Sequence, residues 1–201
     1  PEQVVAILGE YLTAMVDDIQ QFGGMLDKFV GDEVMAVFGA PNPMEDHAER
    51  ACRTALQMTR TLDRLKEQWK KEGREGFDIG IGINTGEMIV GNLGSRQIFD
   101  YTVIGDNVNL GARLEGVNKV YKTSKNIIIS EFTRKELSDG LMCRELDLVR
   151  VKGKERPVAI FELVGEKEVF VYPPSFLERY EQGLGAYKSR RFEKAADLFK
   201  P

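Results

Sequence analysis

Lys28 and Asp32 stand four residues apart in the string Asp27-Lys28-Phe29-Val30-Gly31-Asp32-Glu33. Met25 to Val30 and Glu33 to Phe38 are apolar runs around a Gly-Asp pair, the pattern of a β-hairpin, which puts Lys28 on a strand and Asp32 at the tip. Alternation places Lys28 on the face of Leu26 and Val30, where an ammonium needs a partner. A bound ligand is one candidate, and a charged, solvated turn is the plain alternative for the tip. A second cluster runs from Asp100-Tyr101-Thr102 through Gly105-Asp106-Asn107 to Asn109 and Arg113. Asn109 and Arg113 are i and i+4 on a helical stretch, so an amide and a guanidinium share a face, a pair suited to sugar and phosphate oxygens. The alternative is an exposed polar face with Arg113 laid over apolar surface. A third string, Val151-Lys152-Gly153-Lys154-Glu155, is a glycine turn between two lysines that either holds an anion or caps a hairpin.

Composition removes several other chemistries. Lys plus Arg number 28 against 32 Asp plus Glu, a net charge of −4, so there is no broad cationic field and no nucleic-acid partner is expected. Cys52 and Cys143 lack metal-like or redox-like neighbours and read as reduced, buried thiols, at home in a reducing cytoplasm. The one histidine, His47, sits among Glu45, Asp46 and Glu49 at a helix start, which leaves little material for a Ser-His-Asp site. No apolar run approaches the roughly 20 residues of a membrane helix, and the start at Pro1 reads as a polar helix and not a signal peptide.

The elements that must hold these clusters follow from periodicity. Val4, Leu8, Leu12, Met15, Ile19 and Phe22 mark one helix ending at Gly23-Gly24, and Ala48 to about Lys71 marks a second. Ile79, Ile81 and Ile83, then Met88 to Val90 after Gly86, predict a strand, a turn and a strand. Glycines 80, 82, 86, 91 and 94 imply close approach to that sheet. Asp106 to Val117 is helical, Ile127 to Ile129 a buried strand, Glu131 to Leu137 a short helix, and Leu146 to Val151 with Val158 to Val164 a closing hairpin. Strand pairs alternating with helices predict an α+β sandwich over residues 1–164. A linker at 165–174 and a helical hairpin at 175–201 follow. The hairpin's Tyr180, Leu184, Ala186, Tyr187, Phe192, Ala195, Ala196 and Phe199 approximate one tetratricopeptide repeat. One such unit cannot bury its face alone, so either further repeats follow or the pair docks on the main domain.

Five strings in fixed order resemble the class III nucleotidyl cyclases: Asp27 to Glu33, Gly80-Ile81-Gly82-Ile83-Asn84-Thr85-Gly86, Gly91-Asn92-Leu93-Gly94-Ser95, Tyr101 to Arg113, and Val151 to Lys154. The resemblance implies a ferredoxin-like α/β sandwich and the conversion of ATP to cyclic AMP and pyrophosphate by in-line attack of the ribose 3′-hydroxyl on the α-phosphorus. It implies that Asp32 holds Mg²⁺ or Mn²⁺, that Lys28 and Thr102 read adenine, that Asn109 orients the ribose, that Arg113 stabilises the α-phosphate, and that Lys152 holds the outer phosphates. Lysine and threonine at the purine positions, in place of the glutamate and cysteine usual for guanine, favour ATP. Because one chain holds both kinds of residue, the resemblance implies a head-to-tail homodimer, and the tail helices imply a further protein contact.

The family also carries a first metal aspartate in a Phe-x-Asp-Ile-x-x-Phe-Thr strand ahead of the opening helix. No such string occurs among these residues, and Asp17 and Asp18 match no metal motif. The expectation is therefore an active cyclase as parent, possessing more metal-site residues than this chain supplies, or else a cyclase-like nucleotide-binding module that regulates partners. A diguanylate cyclase reading draws on Gly31-Asp32-Glu33 alone and lacks the second glycine and aromatic of that loop.

Overall fold

The structure, a computed structural model, describes residues 2–95, 97, 99–150, 156–169 and 172–200. Helices α1 (Glu2–Gln21) and α2 (His47–Lys71) flank the hairpin β1 (Met25–Val30) and β2 (Glu33–Val37). Strands β3 (Ile81–Ile83), β4 (Ile89–Gly94) and β5 (Phe99–Ile104) precede α3 (Asp106–Val117). Then come β6 (Ile127–Ser130), α4 (Glu131–Lys135), β7 (Leu141–Val149), β8 (Val158–Glu166), α5 (Pro174–Lys188) and α6 (Phe192–Phe199). The predicted α+β class and helical hairpin are present.

Strand β7 starts at Leu141, ahead of the expected Leu146, and two further details differ from the sequence-based expectation. The β3 and β4 strands are not a hairpin: β3 pairs parallel with β6, while β4 pairs antiparallel with β5, a strand that periodicity did not mark. The pairing among described residues forms a four-stranded sheet β3-β6-β8-β7 and the two hairpins β1-β2 and β4-β5. Along β5, Phe99, Tyr101 and Ile104 are exposed while Thr102 and Val103 are buried, so the apolar-polar alternation of Phe99 to Val103 does not mark the core face.

Three apolar clusters tie the layers. Tyr11 and Met15 of α1 meet Leu62 and Trp69 of α2, and Phe77 packs edge-on to Tyr11 with centroids 5.1 Å apart. The Trp69 indole N–H donates to Glu10 at 2.7 Å, and Arg74 adds two bonds to the same carboxylate, holding Glu10 below the usual carboxylate range. Ala55 and Leu56 of α2 lie on Ile127 and Ile129 of β6, whereas Leu110 and Leu114 of α3 lie with Ile128 and Ile160.

Helix α3 rides very close to β3. A Cβ on Gly82 would stand 2.2 Å from the Glu115 amide nitrogen and 2.3 Å from the Gly111 carbonyl oxygen, both rigid backbone. A Cβ on Gly86 would meet the Asn107 amide at 2.4 Å. Glycines 80, 82 and 86 thus answer the predicted close approach, whereas Gly91 has open space around it. Gly82→Ala must push α3 off the sheet, which is expected to cost about 3 kcal/mol and lower the melting temperature by roughly 6–12 °C. Gly91→Ala, measured in the same thermal melts, should stay near wild type.

The tail docks on the main domain, one of the two outcomes the sequence left open. The Arg144 guanidinium on β7 lies 4.7 Å from the Tyr180 ring centroid and 5.8 Å from that of Tyr172. Its Nε and Nη2 both donate to Glu162 Oε2, at 3.0 and 2.6 Å, and Oε1 of that fully buried carboxylate accepts from the Ser124 amide and hydroxyl. The Tyr180 hydroxyl donates to the Glu145 carbonyl at 2.8 Å, and Lys188 pairs with the Glu145 side chain. A buried charge is tolerated only when its acceptors are filled in this way. Within the hairpin, Gly183 lets Phe199 approach to 2.8 Å of where a Cβ would be.

Candidate functional site

The β1-β2 turn consists of Gly31 and Asp32, with Val30 opposite Glu33. Gly31 has φ +67°, and positive φ at the first central residue is what a two-residue type II′ hairpin requires. Asp32 is thereby held exposed at the tip. Its charge reaches the buried Tyr11: desolvation first, and the Asp32 carboxylate second, push the Tyr11 hydroxyl up to about 12. Tyr11 thus stays neutral near pH 7 and lies within electrostatic reach of the hairpin tip.

Lys28 does not stand as strict alternation predicts. The register slips between Leu26 and Lys28, leaving Asp27 as the extra residue of a bulge. The partner that Lys28 needs comes from the chain itself, since its ammonium lies 3.5 Å from Asp27 Oδ2. The same Oδ2 accepts a 2.9 Å hydrogen bond from the Thr102 hydroxyl on β5. Lys28 and Thr102, 74 positions apart by subtraction, are therefore gathered on one buried carboxylate. The Asp27 side chain is 0% exposed while that of Lys28 keeps 37%, so the lysine is the solvent-accessible member of this pair. In the sequence, the sole signal of Asp27 is an acid directly beside a strand lysine.

Asn109 and Arg113 do share a face of α3, and both are exposed. Each precedes a fully buried leucine, Leu110 and Leu114, so the apolar pair that seats the helix also aims the polar pair outward. Asparagines secure both helix ends. Asn84 donates to the Asn107 carbonyl at 2.9 Å, Asn107 donates to the Glu87 carbonyl at 3.0 Å, and Asn118 donates to the Ile81 carbonyl at 3.1 Å. Gly105 at φ +154° begins the helix sharply after β5, which puts Thr102 and Asn109 on consecutive elements. Lys152 and its neighbour Lys154 lie outside the described residues.

The remaining candidates behave as ordinary structure. Both cysteines are free, and burial pushes their thiols up, Cys143 to about 11, so neither is a nucleophile at neutral pH. His47 begins α2 with Nε2 3.3 Å from Glu136. Asp18 is buried on α1, away from solvent where a metal ligand could be reached. Among the described residues no helix is long and apolar enough to cross a membrane, and no three acidic, histidine or cysteine side chains cluster for a metal.

Comparison with known proteins places this arrangement. Residues 1–166 match the adenylate and guanylate cyclase catalytic domain family. Adenylate cyclase 1 of Rhizobium meliloti is 36% identical over 165 residues, which cover 82% of this chain and 24% of that protein. Among solved structures, the adenylyl cyclase CyaB of P. aeruginosa superimposes with a TM-score of 0.76 at 35% identity, covering 85% of this chain and 87% of the other. The guanylyl cyclase Cya2 does so at 0.74 and 36%, covering 85% and 84%. The chain spans only about a quarter of the length of the Rhizobium relative. With a match over more than four-fifths of its length, the chain belongs to the adenylate and guanylate cyclase catalytic domain family.

Proposed function

We propose that this chain is the cyclase domain of an adenylate cyclase, forming 3′,5′-cyclic AMP and pyrophosphate from ATP. The carrying observation is the cluster of Lys28, Asp27 and Thr102, which sets a donor and a hydroxyl side by side. Adenine presents an acceptor at N1 and a donor at its amine, so Lys28 donates to the first and Thr102 accepts from the second. In the reaction the ribose O3′ forms a bond to the α-phosphorus while the bond from that phosphorus to the leaving pyrophosphate breaks. Charge grows on the phosphoryl oxygens and on the leaving group, so positioned donors and cations supply most of the acceleration. Asn109 holds the ribose and Arg113 the α-phosphate oxygens, with Lys152 on the outer phosphates.

Asp32 fits a hard divalent cation, Mg²⁺ or Mn²⁺, because such ions are commonly bound by one or two carboxylates together with substrate phosphates and need no cage of protein ligands. When bound, that ion offsets phosphate charge and favours loss of the 3′-hydroxyl proton. The sites form between two copies of the chain in a head-to-tail homodimer. Support comes from the β4-β5 hairpin, where Ile89, Leu93, Phe99, Tyr101 and Ile104 are exposed, more apolar surface than a solvated hairpin needs. The α5-α6 pair is read as a tetratricopeptide-like unit whose outer face, with Phe192 and Phe199 exposed, meets a protein partner.

The test is a metal-dependent assay of the full-length protein that contains this chain, with ATP and GTP in parallel and both cyclic nucleotides read out. Metal-dependent cyclic AMP is expected. Because Cya2 is a guanylyl cyclase of nearly equal likeness, cyclic GMP as main product would overturn the substrate assignment. Dimers that bind ATP and release no product would instead indicate a regulatory module.

A further inference from the structure

Asp27 has no role in the reading above, yet its carboxylate is wholly buried between the two residues assigned to the purine. We propose that Asp27 is a positioning residue that sets the hydrogen-bond polarity of Thr102 and so selects adenine over guanine; the inference rests on Lys28 and Thr102 being the purine contacts.

A threonine hydroxyl has one proton and two lone pairs, and an unrestrained proton rotates to suit whatever approaches. A bare threonine would therefore serve the adenine amine and the guanine carbonyl alike. Thr102 is restrained, for its hydroxyl donates to Asp27 Oδ2 at 2.9 Å. That oxygen also faces the Lys28 ammonium at 3.5 Å, a group with donors only, so it is an acceptor for both neighbours. With its proton committed to Asp27, Thr102 Oγ1, on a side chain that is itself buried, has only lone pairs left for a second partner. Those match the amine of adenine and oppose the carbonyl oxygen of guanine. Lys28 repeats the selection at the next ring atom, where adenine N1 accepts and guanine N1 carries a hydrogen.

The backbone is arranged for this contact. Neighbouring strand residues ordinarily point to opposite faces, and the bulge at Asp27 is what lets its side chain and that of Lys28 meet. The second carboxylate oxygen, Oδ1, is buried with no hydrogen-bond partner among the described residues. An unpaired buried oxygen costs stability, so packing alone would favour an apolar side chain here. The other oxygen offsets that cost by holding the Thr102 hydroxyl.

The experiment measures kcat/KM for ATP and for GTP in the full-length protein carrying Asp27→Leu, Asp27→Asn, Thr102→Val, or Thr102→Val with Asp27→Leu. Loss of the acceptor in Asp27→Leu should lower the ATP-to-GTP ratio at least about tenfold, the size of one hydrogen bond gained or lost. Asp27→Asn should keep the ratio within about threefold, because its amide oxygen takes the place beside the ammonium and still accepts from Thr102. Thr102→Val should lower the ratio by itself, and adding Asp27→Leu to it should change nothing further.

An unchanged ratio in Asp27→Leu, when Thr102→Val shifts it, would overturn the proposal and leave the purine assignment standing. An unchanged ratio in Thr102→Val would show that the purine assignment is wrong, and the proposal would fall with it. Should Asp27→Leu fail to fold, Asp27→Ala replaces it, with the same expected loss of discrimination and the same overturning result.

Discussion

Asp32→Asn is expected to lower kcat by about 10²–10³-fold or more in the full-length protein, as removal of several kcal/mol of charge stabilisation requires. The melting temperature should not move, because Asp32 is exposed at a turn whose special backbone angle belongs to Gly31. Asparagine keeps the shape of the side chain and removes its charge, so the loss isolates the anionic ligand. If the defect were only in metal affinity, raising Mg²⁺ would restore turnover; a defect in kcat at saturating metal is the expected result. A second readout is independent of catalysis. The Asp32 charge is the lesser of two causes that raise Tyr11, so a tyrosinate absorbance titration should show Tyr11 ionising at lower pH in the variant, still above its ordinary value because burial persists. Turnover within about threefold of wild type would remove Asp32 from the metal role.

What the sequence disclosed was governed by where polar side chains end up after pairing. Helices α1, α2 and α3 were plain because their apolar positions recur at helical spacing. Asn109 and Arg113 were equally legible, since the leucines beside them fix which way they point. Strand β5 is different: Phe99-Asp100-Tyr101-Thr102-Val103 alternates as a strand does, yet Thr102 is buried while Phe99 and Tyr101 are exposed, so alternation alone assigns the wrong face to the core. Asp27 was invisible as a functional group for a related reason. Its burial follows from a one-residue slip in register, and no local pattern announces a slip. The glycines did announce a close approach, without saying that the approaching surface was the backbone of α3. The asparagines 84, 107 and 118 secure both ends of that helix, yet as isolated amides they resemble loop residues until their carbonyl partners, up to 37 positions away, are known.

Arg113→Ala carries the second large effect. A guanidinium aimed at phosphate oxygens helps most when charge builds there, so kcat should fall by about 10²–10³-fold with KM for ATP changed by less than about threefold. The fold should hold, because α3 is seated by Leu110, Leu114 and the asparagine bonds at its two ends. Arg113→Lys should recover only part of the loss, for an ammonium restores the charge without the planar fork that engages two oxygens at once. Steady-state kinetics with ATP, paired with a direct measure of nucleotide binding, separates the outcomes. Equal losses in binding and turnover would make Arg113 a ground-state contact. Loss of helical signal in the far ultraviolet would make it structural. A fall confined to kcat assigns it to the transition state, where it serves the charge that builds on the α-phosphate oxygens between the attacking ribose oxygen and the leaving pyrophosphate.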